Sequence, residues 1–217
     1  MFFSDARFED RTAAARDLAR RLSRYAGQDP LVLAIPRGAV PMGAVLADAL
    51  DGDLDVVLVH KLGAPYQPEY AIGSVDETGR IEVRDPSFDE TWVRKEAARQ
   101  LEVLRRRRAS YGAELERQDP AGRVVIVVDD GVATGATMRA ALRAVRAQGP
   151  SRLIAAVAVA PPDTASLLRQ EADELVILAT PPNFAAVGQF FADFAQVEDA
   201  EVVAHLRAAR ARRGATR

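Results

Sequence analysis

The sequence predicts an α/β fold built on a parallel sheet, and three observations carry that expectation. Strand-length apolar runs alternate with amphipathic helical stretches along most of the 217 residues. The runs Leu31 to Ile35 and Val125 to Val128 are continuously apolar, as strands covered on both faces are. Between such runs apolar residues recur at helical spacing, as in Met138, Ala141, Leu142 and Val145.

Taken in order, Ala15, Leu18, Leu22 and Tyr25 form one stripe of an amphipathic helix between Asp5 and Gly27, with Ser4 or Asp5 as its cap. The strand at Leu31 leads to a helix from about Pro41, whose inner face carries Met42, Val45, Leu46, Ala49 and Leu50. Asp55 to Val59 reads as the next strand, ending at His60-Lys61. Residues 62 to 87 break the rhythm. Gly63, Pro65, Pro68, Gly73 and Gly79 punctuate short β-like pieces there, the pattern of a hairpin or flap. A long charged helix is expected from about Asp89 to Arg117, with Trp92, Leu101, Leu104, Tyr111 and Leu115 as its sparse apolar positions. Arg123 to Val128 is the clearest strand, and the helix after it stops at Gly149-Pro150. Leu153 to Val159 and Glu174 to Leu178 add two strands around a short helix begun by Pro162-Asp163. The tail holds an aromatic-rich turn, Phe184 to Phe194, and a final Arg/Ala helix.

Composition narrows the function classes. With 48% hydrophobic and 28% charged residues and a net charge of -2, the chain reads as an ordinary globular protein of one sizeable domain, residues 1–217. The absence of cysteine excludes a disulfide framework, a thiolate metal site and a cysteine nucleophile. The longest apolar stretches are strand-length, too short to span a bilayer, so no membrane partner is expected. The N-terminus runs into Asp5, Arg7, Glu9, Asp10 and Arg11, which is no secretory signal, and a cytoplasmic protein is expected. Of the 29 basic residues only Lys61 and Lys95 are lysines, a bias that fits a GC-rich genome. The slight acidic excess gives no support to nucleic-acid binding.

The informative segment runs from Val125 through Asp129-Asp130-Gly131-Val132-Ala133-Thr134-Gly135-Ala136-Thr137. It is a buried strand ending in two carboxylates, then a loop of small and hydroxylated residues, then a helix N-terminus. Ligands of open parallel sheets bind beyond the carboxyl ends of the strands. A helix N-terminus offers unpaired N–H groups and partial positive charge to a phosphate. Gly135 and Ala136 allow close backbone approach, and Thr134 and Thr137 add hydroxyl donors. Paired acids ahead of such a cradle suit a sugar phosphate, because they accept hydrogen bonds from neighbouring hydroxyls. A magnesium-binding strand of a P-loop NTPase has similar acids, but G-x-x-x-x-G-K-[ST] is missing, as is G-x-G-x-x-G. A plain strand-turn-helix, with the acids capping the turn, is the structural alternative.

The segment resembles the PRPP-binding motif of type I phosphoribosyltransferases over its whole length. The combination of Pro36-Arg37-Gly38, His60-Lys61-Leu62-Gly63 and the Asp129 to Thr137 loop is similar to the uncharacterised bacterial group of that family, across nearly the full chain. The resemblance implies the type I fold: a central parallel sheet flanked by helices, a flap at about 62–87, and a small C-terminal hood at about 180–217. It implies that Asp129 and Asp130 hold the ribose hydroxyls and reach Mg²⁺ directly or through water, and that Ala133, Thr134, Gly135, Ala136 and Thr137 wrap the 5-phosphate. Arg37 and Gly38 fall where the family places its pyrophosphate loop, often with a strained peptide bond. Lys61 falls where a basic residue faces the diphosphate. Two departures matter. Ala39 stands where a second glycine is common, and Ala133 stands where 6-oxopurine transferases carry an aspartate general base.

The implied reaction displaces pyrophosphate from C1 of PRPP by a nitrogen nucleophile, with Mg²⁺ as cofactor and an unidentified small-molecule acceptor, not a 6-oxopurine. Arg37 and Lys61 would meet the leaving charge. Glu69, in the flap, is either a general base near the acceptor or a solvated loop acid. Phe184, Phe190, Phe191 and Phe194 either stack on a flat acceptor or pin the hood. His60 and His205 have no triad or metal site nearby in sequence. Arg105 to Arg108 read as a solvated helix face paired with glutamates, or as a contact with phosphate or with a partner subunit of a homo-oligomer. The alternative function is a non-catalytic PRPP sensor that binds RNA, DNA or a protein.

Overall fold

A computed structural model describes residues 8–112 and 116–216, the side chains of Pro68, Glu69 and Thr216 excepted. Helix α1 (Arg11–Leu22) starts behind Asp10, whose carboxylate accepts a hydrogen bond from Ala13 N at 2.6 Å. Ser4 and Asp5, the expected caps, lie outside the described residues. The helix begins later than expected because residues 8 and 9 are committed to the tail. Phe8 N donates to Phe190 O at 3.0 Å, Ala192 N to Phe8 O at 2.9 Å, and Asp193 N to Glu9 O at 2.8 Å. The expected stripe of Ala15, Leu18, Leu22 and Tyr25 is buried.

After α1 come β1 (Leu31–Ala34), α2 (Val40–Ala49) and β2 (Asp53–Val56). The chain then leaves this layer. The strand expected to end at Lys61 is two strands: β2 stops at Val56, and β3 (Val59–Ala64) turns away to pair antiparallel with β4 (Gln67–Asp76), followed by β5 (Ile81–Val83). Burial explains the split. Leu62, Ile72 and Val75 of the small sheet join Val93, Ala97 and Leu104 of α3 (Glu90–Ser110) in one apolar cluster. Asp89 caps α3 by accepting from Trp92 N at 2.8 Å. This helix ends at Ser110, short of the expected Arg117; Leu115 lies outside the described residues.

Strand β6 (Val124–Gly131), α4 (Ala136–Arg146), β7 (Arg152–Val159), α5 (Pro162–Leu168) and β8 (Glu174–Ala179) complete the main layer, and α6 (Asp199–Thr216) closes the chain. The main sheet has the order β2-β1-β6-β7-β8 and every pairing in it is parallel. Its central strands are buried on both faces, which is why β1, β6 and β7 read as continuous apolar runs. Leu31, Leu33, Val125 and Val127 face Met138, Ala141, Leu142 and Val145 of α4. Val32, Ala34, Ile126 and Val128 share a cluster with Leu18 and Leu22 of α1, Met42 and Leu46 of α2, and Val202 and Leu206 of α6.

Many of the arginines serve the fold. Arg108 hydrogen-bonds Asp55 Oδ1 at 2.6 Å, Glu77 through Nε and Nη2 at 2.6 and 2.7 Å, and Val56 O at 2.8 Å, which locks α3 to β2 and to the end of β4. Buried Asp53 takes Arg123 Nη2 at 2.8 Å and Arg213 Nε at 3.1 Å, tying α6 to the sheet. Among the described residues, no helix is long and apolar enough to cross a membrane.

Candidate active site

Register brings the two informative loops together. Ala34 of β1 pairs with Val128 of β6, and Ile35 N donates to Val128 O at 3.1 Å. Strand β1 therefore releases Pro36-Arg37-Gly38 beside Asp129-Asp130-Gly131, the last residues of β6, at the carboxyl edge of the sheet, where ligands of such sheets bind. The Pro36–Arg37 peptide bond is cis. Gly38 lies so close to the acids that a Cβ there would stand 2.4 Å from Asp130 Oδ2.

Asp130 is 8% exposed, and its Oδ2 accepts from Arg11 Nε at 2.7 Å. Asp129 Oδ1 accepts from the Asp130 backbone N at 2.9 Å. Burial pushes both carboxyls above the usual carboxylate range. The ion pair with Arg11 partly offsets this for Asp130. For Asp129 the neighbouring Asp130 charge adds to burial, and that carboxyl lies well above its ordinary value. Two adjacent, desolvated acids with one guanidinium beside them favour a ligand that brings hydrogen-bond donors or positive charge. Among the described residues, no group of three His, Cys, Asp or Glu surrounds them as a dedicated metal cage. Two carboxylates fit a Mg²⁺ that keeps its waters and takes further oxygens from a phosphate-bearing ligand.

The loop after the acids is anchored and leaves its donors outward. Val132 N donates to Val159 O at 2.9 Å, and Thr164 Oγ1 donates to Ala133 O at 2.7 Å. Gly135 sits at φ +82°, a left-handed conformation natural to glycine, and forms the N-cap of α4 without a side-chain cap. Ala133, Thr134 and Thr137 are exposed and Ala136 is half-buried. An uncapped helix start with exposed hydroxyls offers unpaired N–H and O–H donors of the kind an anion takes up.

Arg37 reaches the start of the tail helix, with Nη1 at 3.5 Å from Glu198 Oε2 and 3.9 Å from Asp199 Oδ1. Lys61, expected at the end of a main-sheet strand, lies instead in β3, opposite Ser74 of β4. It lines a cleft of about 230 Å³ together with Ala136, Thr137, Arg84 and Arg143, so the small sheet carries it to the flank of the loop. Glu69 belongs to β4, and its side chain lies outside the described residues.

The aromatic cluster is mostly packing. Phe8–Phe191, Phe184–Phe190 and Phe191–Phe194 have ring centroids 5.3, 5.3 and 5.1 Å apart, and Phe190 and Phe191 are buried. Two residues at the site are not among those the sequence singles out. Arg11 acts across 119 positions of sequence, which no local pattern reveals. Thr164 has a weak cue: it follows Pro162-Asp163 just beyond β7, the strand next to β6, at the same sheet edge.

Comparison with known proteins bears on this geometry. The model of the phosphoribosyl transferase domain matches residues 7–194. A Mycobacterium tuberculosis protein named "Putative phosphoribosyl transferase", in strains CDC 1551 and H37Rv, is 42% identical over 204 residues, covering 92% of this chain and 46% of its own. The chain thus spans about half the length of the curated relatives it matches. The crystal structure of TT1426 from Thermus thermophilus superimposes with a TM-score of 0.86 at 44% identity, covering 92% of this chain and 97% of that one.

Proposed function

The chain belongs to the phosphoribosyl transferase family, and from that premise we propose that it binds PRPP with Mg²⁺ and transfers the ribose 5-phosphate group to a nitrogen nucleophile, releasing pyrophosphate. The observation that carries the proposal is the convergence, at one sheet edge, of Asp129 and Asp130, the Arg37-Gly38 turn and the uncapped start of α4. A sugar bearing phosphate at one end and diphosphate at the other matches that arrangement.

In this reading the first turn of α4, with Thr134 and Thr137, grips the 5-phosphate. Asp129 and Asp130 accept hydrogen bonds from the ribose hydroxyls and orient C1. As the bond from C1 to the diphosphate breaks, negative charge grows on the leaving group, and Arg37 and Lys61 stabilise it. Mg²⁺, arriving with PRPP, would supply further charge neutralisation near Asp129 and Asp130. The flap at about 62–87 excludes water, because hydrolysis is the competing reaction. Residues 180–217 form the hood over the acceptor, within a single domain. Glu69 is the proposed base, and Ala133 argues against a 6-oxopurine. Cytoplasmic nucleotide metabolism is the setting this chemistry implies.

The non-catalytic alternative rests on the Arg105 to Arg108 run. Arg108 is committed to Asp55 and Glu77 inside the fold, which takes it out of that run, and Arg106 makes an exposed pair with Glu102. The testing experiment screens PRPP and Mg²⁺ against nucleobases and related amines, with pyrophosphate release as readout. Release that depends on one acceptor is expected. Saturable PRPP binding with no acceptor-dependent release would favour the sensor instead.

A further inference from the structure

Arg11 is the first residue of α1, yet its side chain leaves that helix. Nε donates to Asp130 Oδ2 at 2.7 Å, Nη1 donates to the Ala195 carbonyl at 2.7 Å, and the guanidinium carbon lies 3.8 Å from the centroid of the Phe194 ring. Its side chain is only 12% exposed. Three separate contacts therefore fix a planar group in one orientation, which a flexible ammonium does not reproduce. The same Asp130 oxygen faces Gly38, where a Cβ would meet it at 2.4 Å and Arg11 Nη2 at 3.4 Å. One guanidinium thus braces Asp130 beside the Pro36-Arg37-Gly38 turn. It takes its own support from the tail, whose turn is stitched to Phe8 and Glu9 by backbone hydrogen bonds.

We infer that Arg11 is a positioning residue for the sugar end of the site: it holds Asp130 where a ribose hydroxyl meets it, using the 194–195 turn as its brace. The inference rests on the reading of Asp129 and Asp130 as ribose-binding acids. The contacts that fix Arg11 run to Asp130 and to the 194–195 turn, not to α4, so its loss should harm sugar recognition and spare phosphate recognition.

The test titrates the wild type, Arg11→Met and Arg11→Lys with ribose 5-phosphate, 2-deoxyribose 5-phosphate and inorganic phosphate by calorimetry, with thermal melts to establish folding. The wild type should prefer ribose 5-phosphate over the 2-deoxy compound. Arg11→Met should bind ribose 5-phosphate about tenfold or more weakly, the loss typical of one charge-assisted hydrogen bond, and should lose that preference. Its affinity for inorganic phosphate should stay within about twofold of wild type, too small a change to reflect a lost hydrogen bond. Arg11→Lys keeps a cation but lacks the planar fork that serves Asp130 and Ala195, so it should fall between the wild type and Arg11→Met, and it carries the test if Arg11→Met does not fold. Unchanged ribose 5-phosphate affinity, or equal weakening toward ribose 5-phosphate and phosphate, overturns the positioning role. A wild type indifferent to the 2-hydroxyl instead sinks the ribose assignment of the acids, and this inference with it.

Discussion

Gly38 Cα and the Asp130 carboxylate are held in such close approach that a methyl group on Gly38 would sit 2.4 Å from Oδ2. That closeness leaves no room for a side chain between the turn after β1 and the acids that end β6. Any side chain at position 38 must push the two apart, since Asp130 is also fixed by Arg11 and cannot retreat freely. Gly38→Ala should cost about 1–3 kcal/mol of stability through overpacking. It should also weaken PRPP binding at least about tenfold by displacing an acid whose hydrogen bond is worth about 1.5–3 kcal/mol. Calorimetry and thermal melts read the two effects separately; wild-type PRPP affinity in this variant would remove Gly38 from the site.

Arg37 lies in the turn after β1, and Lys61 lies in β3, lining the cleft beside the first turn of α4. If they neutralise the diphosphate, replacing either with alanine should weaken PRPP by about ten- to a hundredfold, the loss of one charge-assisted hydrogen bond. Binding of ribose 5-phosphate, which lacks that group, should change little. Equal weakening of both ligands would mean that the substitutions disturb the fold.

Ala133 directs the acceptor prediction. Its carbonyl is held by Thr164, its methyl is exposed, and it has no proton-accepting side chain. General-base help is typically worth about 10²–10⁴ in rate, so hypoxanthine and guanine should turn over poorly or not at all. Glu69→Gln should slow transfer to the true acceptor while leaving PRPP affinity nearly unchanged. Efficient hypoxanthine turnover would overturn the Ala133 argument, and a fully active Glu69→Gln would take Glu69 out of the mechanism.

Strands β1, β6, β7 and β8 and the loop after β6 are legible in the sequence because they are local patterns: apolar runs, then, after β6's run, acids and small and hydroxylated residues. The helix at α4 is legible for the same reason, its buried stripe matching Met138, Ala141, Leu142 and Val145. What escapes is non-local. The start of α1 is displaced because residues 8 and 9 pair with the 190–193 segment, which a cap-seeking reading of Asp5 cannot foresee. Lys61 falls in the small sheet rather than the expected one because Val59 and Leu62 are equally apolar in either; the choice is made by α3, which offers Leu62 a partner surface. Arg108 reads as part of a solvated run, although its carboxylate partners lie 31 and 53 residues away.

Asp53 supplies a test of stability against pH. Burial pushes its carboxyl up, but the guanidiniums of Arg123 and Arg213 outweigh burial and hold it below the usual range. A depressed acid contributes stability above its unfolded pKa and loses it as pH falls through the folded value, here below about pH 4. Asp53→Asn should therefore cost about 2 kcal/mol at pH 7, roughly 4–8 °C in Tm for a chain of this size. The gap to wild type should narrow below about pH 4 as the wild-type acid is protonated too. A gap that stays constant from pH 7 to pH 3 would show that packing, not charge, sets the loss.

Calorimetric titration with PRPP and Mg²⁺ tests the central claim most directly, comparing the wild type with the Asp129→Asn/Asp130→Asn double variant. Saturable binding to the wild type is expected, with a loss of at least about a hundredfold in the double variant, since two acceptors for ribose hydroxyls are weakened together. Equal affinity in the two proteins, with both folded by thermal melt, would contradict a ribose held by Asp129 and Asp130.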